Sequence, residues 1–250
     1  MTAPVTRVPP LYAGAVPNFF GAGLTHTGLV RERNEDSILT DPSGALWAVA
    51  DGMGGYGHGD VASDIVIDRL SRVADDARAV QALRRQLEAA NTEILDRARN
   101  AGQMGSTVVV MHVQNSTATI VWVGDCRAYL LRGGSLRLLT RDHTVVQDMV
   151  DQGLLGDDQR AQHPERHVIT RAVGVERAVE IDKTVVPLVA GDKVLLCSDG
   201  LTACLGDPEI ASHMSAAATP AAMCDALVIA ALESGAPDNV SVVSVFGSEG

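Results

Sequence analysis

Residues 45–55, Ala-Leu-Trp-Ala-Val-Ala-Asp-Gly-Met-Gly-Gly, run apolar for six positions, reach one carboxylate and then turn almost wholly to glycine. A buried strand that delivers an Asp to side-chain-free backbone holds the carboxylate rigidly and lets a ligand approach closely. A single Asp-Gly pair is an ordinary turn signal. Here the pattern recurs, in Val194-Leu195-Leu196-Cys197-Ser198-Asp199-Gly200, in Pro237-Asp238-Asn239 before the apolar run 240–246, and in Val121-Trp122-Val123-Gly124-Asp125. Four strand-edge aspartates, Asp51, Asp125, Asp199 and Asp238, point to one shared site; the alternative is that each caps its own turn.

Period-two alternation predicts strands at 19–26, 37–40, 45–50, 107–113, 117–124, 127–132, 136–139, 179–186, 193–197 and 240–246. The turn Asp41-Pro42-Ser43-Gly44 joins a hairpin, and Gly133-Gly134 suits a two-residue one. Helical spacing covers 60–74 and 79–100, with shorter helices near 145–152 and 208–214 and a capped one at 219–233, where Thr219 precedes Pro220. Antiparallel groups with helices segregated between them predict an α+β layered sandwich rather than a βαβ array. Residues 140–178 are polar, carry His143, His163 and His167, and show no sustained alternation; a connection of that length tends to be functional.

A net charge of −11 argues against a phosphate-backbone partner, because nucleic-acid binding rests on clustered Lys and Arg that this chain lacks. Apolar stretches fall short of the ~20 residues a membrane helix requires. Residues 1–18, with four prolines and no apolar core, read as a flexible N-terminal tail rather than a signal peptide. The four cysteines form no C-x-x-C pair, and three lie in apolar runs as reduced thiols. The expectation is a cytoplasmic protein, monomeric and without a membrane anchor, folded as one domain over 19–250.

Hard divalent cations take oxygen ligands and keep several waters, so Asp51, Asp199 and Asp238 could supply a manganese or magnesium site. Two such ions can activate a bridging water and clamp both oxygens of a displacement at phosphorus, which suggests phosphoester hydrolysis. Arg31, in the loop Arg31-Glu32-Arg33-Asn34-Glu35-Asp36, could grip the phosphate with its planar guanidinium.

The segments Gly28-Leu29-Val30-Arg31 through Asn34-Glu35-Asp36-Ser37, Ala50-Asp51-Gly52-Met53-Gly54-Gly55, Met104-Gly105-Ser106-Thr107, Val123-Gly124-Asp125, His163-Pro164-Glu165-Arg166 through Val173-Gly174, Ser198-Asp199-Gly200-Leu201 and Asp238-Asn239-Val240-Ser241 follow one another in a characteristic order. Together they resemble the bacterial metal-dependent Ser/Thr protein phosphatases of type 2C, over about residues 22–246. The resemblance implies a four-layer αββα sandwich that hydrolyses phosphoserine and phosphothreonine on proteins through a metal-bridging water or hydroxide, reversing a cognate Ser/Thr kinase. It makes Asp51 the carboxylate bridging two ions, the Gly52 carbonyl a ligand of one, and Asp199 and Asp238 ligands of the other. Asp36, assisted by Glu35, would hold waters of the ions from behind. Arg31 would bind the substrate phosphate, Asp125 with Asp199 a third, weaker ion, and residues 144–174 would form a flap. The sequence departs from the pattern around the first motif, where Met53 and Tyr56 replace histidines found in relatives, His58 lies two residues further on and Asp60 stands for Glu. The identity of a general acid stays open.

Two rival readings come from the residues. Cys126 to Arg132 fits the C-x₅-R spacing of cysteine-dependent phosphatases, but the segment alternates like a strand and lacks the glycines that aim backbone N–H groups at one phosphate. His163-x₃-His167 has zinc-like spacing, but Pro164 spoils the helical geometry. A third reading, a non-catalytic phosphoprotein-binding module, sits poorly with intact acidic motifs.

Overall fold

The computed structural model describes residues 18–54, 58–73 and 79–249. The expected tail therefore lies outside the described residues except for Asn18. In chain order the elements are β1 (Asn18–His26), β2 (Asp36–Thr40), β3 (Leu46–Gly54), α1 (Gly59–Leu70), α2 (Ala79–Ala101), β4 (Met104–Gln114), β5 (Thr117–Val123), β6 (Arg127–Arg132), β7 (Ser135–Leu138), α3 (Val145–Asp151), a 3₁₀ turn (Asp157–Gln162), β8 (Asp182–Pro187), β9 (Lys193–Cys197), α4 (Asp199–Cys204), α5 (Asp207–Ala216), α6 (Pro220–Glu233) and β10 (Val240–Ser248).

The strands form two five-stranded sheets, ordered β1-β10-β9-β6-β7 and β2-β3-β4-β5-β8. Every pair is antiparallel. Alternation along each strand splits its side chains between two layers of core. Trp47, Val49, Val109 and Met111 face inward and meet Ala128, Leu130, Leu196 and Val243 of the other sheet. Their neighbours Ala48, Ala50, Val108 and Val110 face outward under α1 and α2, against Val66, Leu83 and Leu87. On the opposite outer face Tyr129, Leu195 and Val242 pack under α4, α5 and α6 against Leu201, Ile210 and Leu227. Each fully buried leucine or isoleucine contributes roughly 1.5–3 kcal/mol of transfer free energy, so three filled layers hold the sandwich without many aromatics. The α+β fold of two stacked antiparallel sheets flanked by helices is the one expected. No helix among the described residues is long and apolar enough to cross a membrane.

Several boundaries differ. β3 does not stop at its carboxylate: Asp51, Gly52, Met53 and Gly54 pair with Thr107, Ser106, Gly105 and Met104, so β3 runs four residues past its alternating segment and β4 begins three residues before its own. Pairing across the ladder overrides the weak strand preference of glycine. Strand β8 begins at Asp182 rather than 179, because Val179 and Ile181 alternate by packing into the layer beneath the helices and not by joining a ladder. Ser198-Asp199-Gly200 opens α4, a six-residue helix, instead of closing a turn. Helix α1 spans Gly59–Leu70, four positions short of the periodic segment, whose last residue lies outside the described ones.

Candidate active site

The acidic strand ends meet at one edge of the sandwich. Asp51 lies directly across the ladder from Asp36, the first residue of β2, so two carboxylates stand on the same face of neighbouring strands. Like charges placed this way destabilise a sheet unless something positive sits with them. Asp199 follows β9 and begins α4, and Asp238 lies two residues before β10. Asp125 sits in the β5–β6 connection after Gly124, whose φ of 100° favours glycine and where a Cβ would meet Thr107 at 2.4 Å. Asp51, Asp125, Asp199 and Asp238, with Arg31, Glu35 and Gly52, line one cleft of about 580 Å³.

The supporting bonds explain how distant segments are held together. Ser198 Oγ donates to Asp36 Oδ2 at 2.8 Å and accepts from the Ser241 N–H at 3.0 Å, tying β2 to β9 and β10. Asn239 clamps the loop that carries Arg31: its Nδ2 donates to the carbonyls of Thr27 and Arg33, and its Oδ1 accepts from the Glu35 N–H, all at 2.8 Å. Glu35 reaches away from the cleft centre, its Oε1 accepting from the Gly59 N–H at 3.2 Å and its carbonyl from the Gly52 N–H at 3.0 Å. Arg31 Nη2 donates to Asp238 Oδ2 at 2.7 Å from a half-exposed position on the rim.

The electrostatics are those of buried, crowded acids only partly offset by Arg31 and serine hydroxyls. Burial pushes Asp51 well above the usual carboxylate value, reinforced by Asp36, Asp199, Asp125 and Asp238. Burial raises Asp36 from 3.8 to about 7, although the Ser241 and Ser198 hydroxyls oppose it. Burial and the charge of Asp199 raise Asp125 to about 8, and burial and Asp238 raise Asp199. Asp36 Oδ1 is buried with no hydrogen-bond partner. As they stand, no three acidic, His or Cys side chains among the described residues close on a single point as a ligand cluster would. The donor set of carboxylate oxygens plus the Gly52 carbonyl suits a hard divalent cation.

A pH dependence follows. With folded values near 7 and 8 against an unfolded 3.8, Asp36 and Asp125 retain protons in the folded metal-free protein that the unfolded chain has already released. Their contribution to stability is therefore undiminished below pH 4 and falls as pH rises through 7 and 8. Metal-free protein should melt at a lower temperature at pH 8 than at pH 5.5, and manganese should raise Tm more at the higher pH, where the carboxylates are ionised. Scanning fluorimetry at the two pH values checks both signs.

Arg166 and His167 also line the cleft, and the charge of His167 bears on Asp199. Neither received a site role from sequence spacing, and neither did Thr107 or Asn239, although all lie in the ordered motifs. His58, by contrast, sits at the N-terminal boundary of α1 and is not among the cleft-lining residues. The cysteine-phosphatase reading fails on geometry. Cys126 is sealed between the sheets, its Sγ 3.1 Å from Thr107 Oγ1, and burial pushes its thiol well up; Arg132 is paired instead with Asp192.

An acid-lined cleft with an arginine on its rim is an arrangement that suits metal-dependent phosphoester hydrolysis. The family model for protein phosphatase 2C matches residues 25–148. Serine/threonine phosphatase Stp of Listeria monocytogenes is 33% identical over 234 residues, covering 88% of this chain and 93% of its own. The crystal structure of the Mycobacterium tuberculosis serine/threonine phosphatase PstP superposes with a TM-score of 0.86 at 35% identity, covering 91% of this chain and 98% of its own. A PstP catalytic domain determined with two manganese ions gives 0.84 at 34% identity, covering 93% and 99%. The chain belongs to the protein phosphatase 2C family of metal-dependent protein serine/threonine phosphatases.

Proposed function

We propose that this cleft removes phosphate from phosphoserine and phosphothreonine of proteins with two divalent cations, manganese or magnesium. Asp51, shared between the ions, the Gly52 carbonyl, Asp199 and Asp238 would hold them, and all four residues line the cleft. Bound there, such cations supply Lewis acidity toward phosphoryl oxygens and a water made acidic enough to attack at neutral pH. The observation that carries the reading is the convergence of Asp51, Asp125, Asp199 and Asp238 with Arg31 on one cleft. Asp36, behind Asp51 with one oxygen lacking a partner, keeps an acceptor available at the back of the site. Glu35 sets the height of the Gly52 backbone through its carbonyl.

Hydrolysis of a phosphothreonine peptide and of p-nitrophenyl phosphate, each with manganese, with EDTA and after thiol alkylation, tests this. Turnover should need manganese and survive alkylation; metal-independent, alkylation-sensitive turnover would sink the proposal.

Arg31 bonds Asp238 through one nitrogen, which leaves the rest of its guanidinium for phosphate oxygens. Arg31→Ala should raise KM for the phosphopeptide roughly tenfold, as expected for a lost charge-assisted bond, with a smaller fall in kcat. An unchanged KM removes Arg31 from substrate binding. Asp125, with Asp199, we assign to a third and weaker ion, because it adds few ligand charges away from the bridging Asp51. Calorimetry of Asp125→Ala should lose the weakest manganese event and keep the tight ones.

Hydrolysis of protein phosphoesters presupposes a Ser/Thr kinase that forms them, which we take as the cognate partner. Three buried free thiols and one partly exposed suit a reducing, cytoplasmic setting. The proposed ligands and Arg31 all come from one chain, which supports a functional monomer.

A further inference from the structure

Beside the cleft lies a second cavity of about 350 Å³, sharing with it the walls formed by Asp125, Asp199, Arg166 and His167. It separates the body of the protein from the 144–174 segment. One buried carboxylate spans the gap. Asp142, its side chain 6% exposed, receives Arg127 Nε on Oδ1 at 2.9 Å and Arg127 Nη2 on Oδ2 at 2.6 Å; Arg160 Nη2 donates to the same Oδ2 at 3.1 Å. Arg127 opens β6 in the sandwich, whereas Arg160 lies on the 3₁₀ turn of the segment.

The two ends of the segment are fixed by backbone. Val145 N–H donates to the Val168 carbonyl at 2.9 Å, Thr170 N–H to that of His143 at 2.8 Å, and Ser106 and Val173 exchange two bonds of 2.9 Å. Near α3 the side chains of Arg141 and Asp151 pair. The 3₁₀ turn is tied to the body through Arg160, and six and seven residues later come Arg166 and His167 on the cleft wall. Arg160 also bonds Asp157 within its own turn at 3.0 Å, which keeps the turn a unit.

We propose that the Arg160–Asp142 contact is a latch: Arg160 is a positioning residue that sets where Arg166 and His167 stand over the cleft. On the phosphatase reading above, on which this rests, the latch governs how the cleft grips a substrate that reaches past the phosphate. A phosphopeptide chain extends onto the segment, while a small phosphoester stays within the cleft and is indifferent to the latch. The bidentate Arg127–Asp142 pair is the structural half of the network, since it is buried and holds both carboxylate oxygens; Arg160 adds one bond and is the half that can be removed without unfolding the site.

The test compares wild type, Arg160→Met and Arg160→Lys with manganese. For Arg160→Met, KM for a phosphothreonine peptide should rise roughly three- to tenfold, the effect of one coupling contact, while kcat/KM for p-nitrophenyl phosphate stays within about twofold. Tm should move by no more than about 2 °C, because Arg127 still satisfies Asp142. Endoproteinase Glu-C should cut faster at the exposed Glu165, and Lys, which restores the charge, should recover part of both effects. An unchanged peptide KM, an equal rise on both substrates, or unaltered cleavage overturns the latch. Absence of manganese-dependent turnover in wild type would instead overturn the phosphatase reading, so the two failures are distinct.

Discussion

Asp51→Asn lowers manganese-dependent turnover on the order of 10³-fold, the scale of losing a principal electrostatic stabiliser, and at the same time raises the Tm of the metal-free protein. The two effects have one cause. Asp51 is held far above the ordinary carboxylate range by burial and by Asp36, Asp199, Asp125 and Asp238, so keeping it neutral in the fold or ionising it there costs stability whenever no cation is present. Asparagine keeps the shape and removes the charge. It can still sit across the ladder from Asp36, and the Asp51 main-chain carbonyl still accepts from Ser106 Oγ at 3.1 Å. The variant should therefore fold, melt higher without metal, and gain less than wild type when manganese is added. Thermal melts with and without manganese, read beside kinetics, check the pair. A variant that melts lower without metal, or that keeps full turnover, contradicts the site.

Gly52→Ala should cost about 3 kcal/mol or more, at the upper end of overpacking effects. A Cβ at Gly52 would stand 2.0 Å from the Gly59 carbonyl oxygen and 2.5 Å from that of Glu35, and both are backbone atoms with no side-chain freedom to retreat. The expected fall in Tm is roughly 6–12 °C for a chain of this size. Relief of the clash must part the start of α1 from β3, which displaces the Gly52 carbonyl and the Asp51 backbone next to it. Manganese affinity, measured by calorimetry at a temperature where the variant is folded, should fall as well. Gly54→Ala is the control: its nearest neighbour is 3.1 Å away, and it should be far milder. Equal Tm losses at 52 and 54 would show that close backbone packing at Gly52 is not what the residue provides.

The acids of the cleft were legible in the sequence because the signal is local. An Asp at the edge of an apolar run, with glycine or asparagine adjacent, marks Asp51, Asp199 and Asp125 after their runs and Asp238 before its own, without reference to any other part of the chain. The residues that hold these acids in place carry no such signal. Asn239 acts through partners 204 to 212 positions away, Ser198 reaches Asp36 across 162, and Arg127 meets Asp142 only because β6 and β7 fold back on each other. No spacing rule connects them. Helix α4 was hidden for a different reason: its six residues begin with Ser-Asp-Gly, which alone reads as a turn, and its burial under β9 and β10 is tertiary. The glycines of 52–54 read as the end of a strand, yet pairing with Met104–Thr107 carries β3 through them. The polar stretch 140–178 stands out in the sequence, but which of its side chains turn toward the cleft is decided by contacts at its base.

The most direct measurement of the central claim is anomalous diffraction at the manganese edge from crystals grown with manganese. The account predicts strong peaks within bonding distance of Asp51, the Gly52 carbonyl, Asp199 and Asp238, and none at Asp51 in crystals of Asp51→Asn. Manganese found only elsewhere on the surface, in an active enzyme, would contradict it.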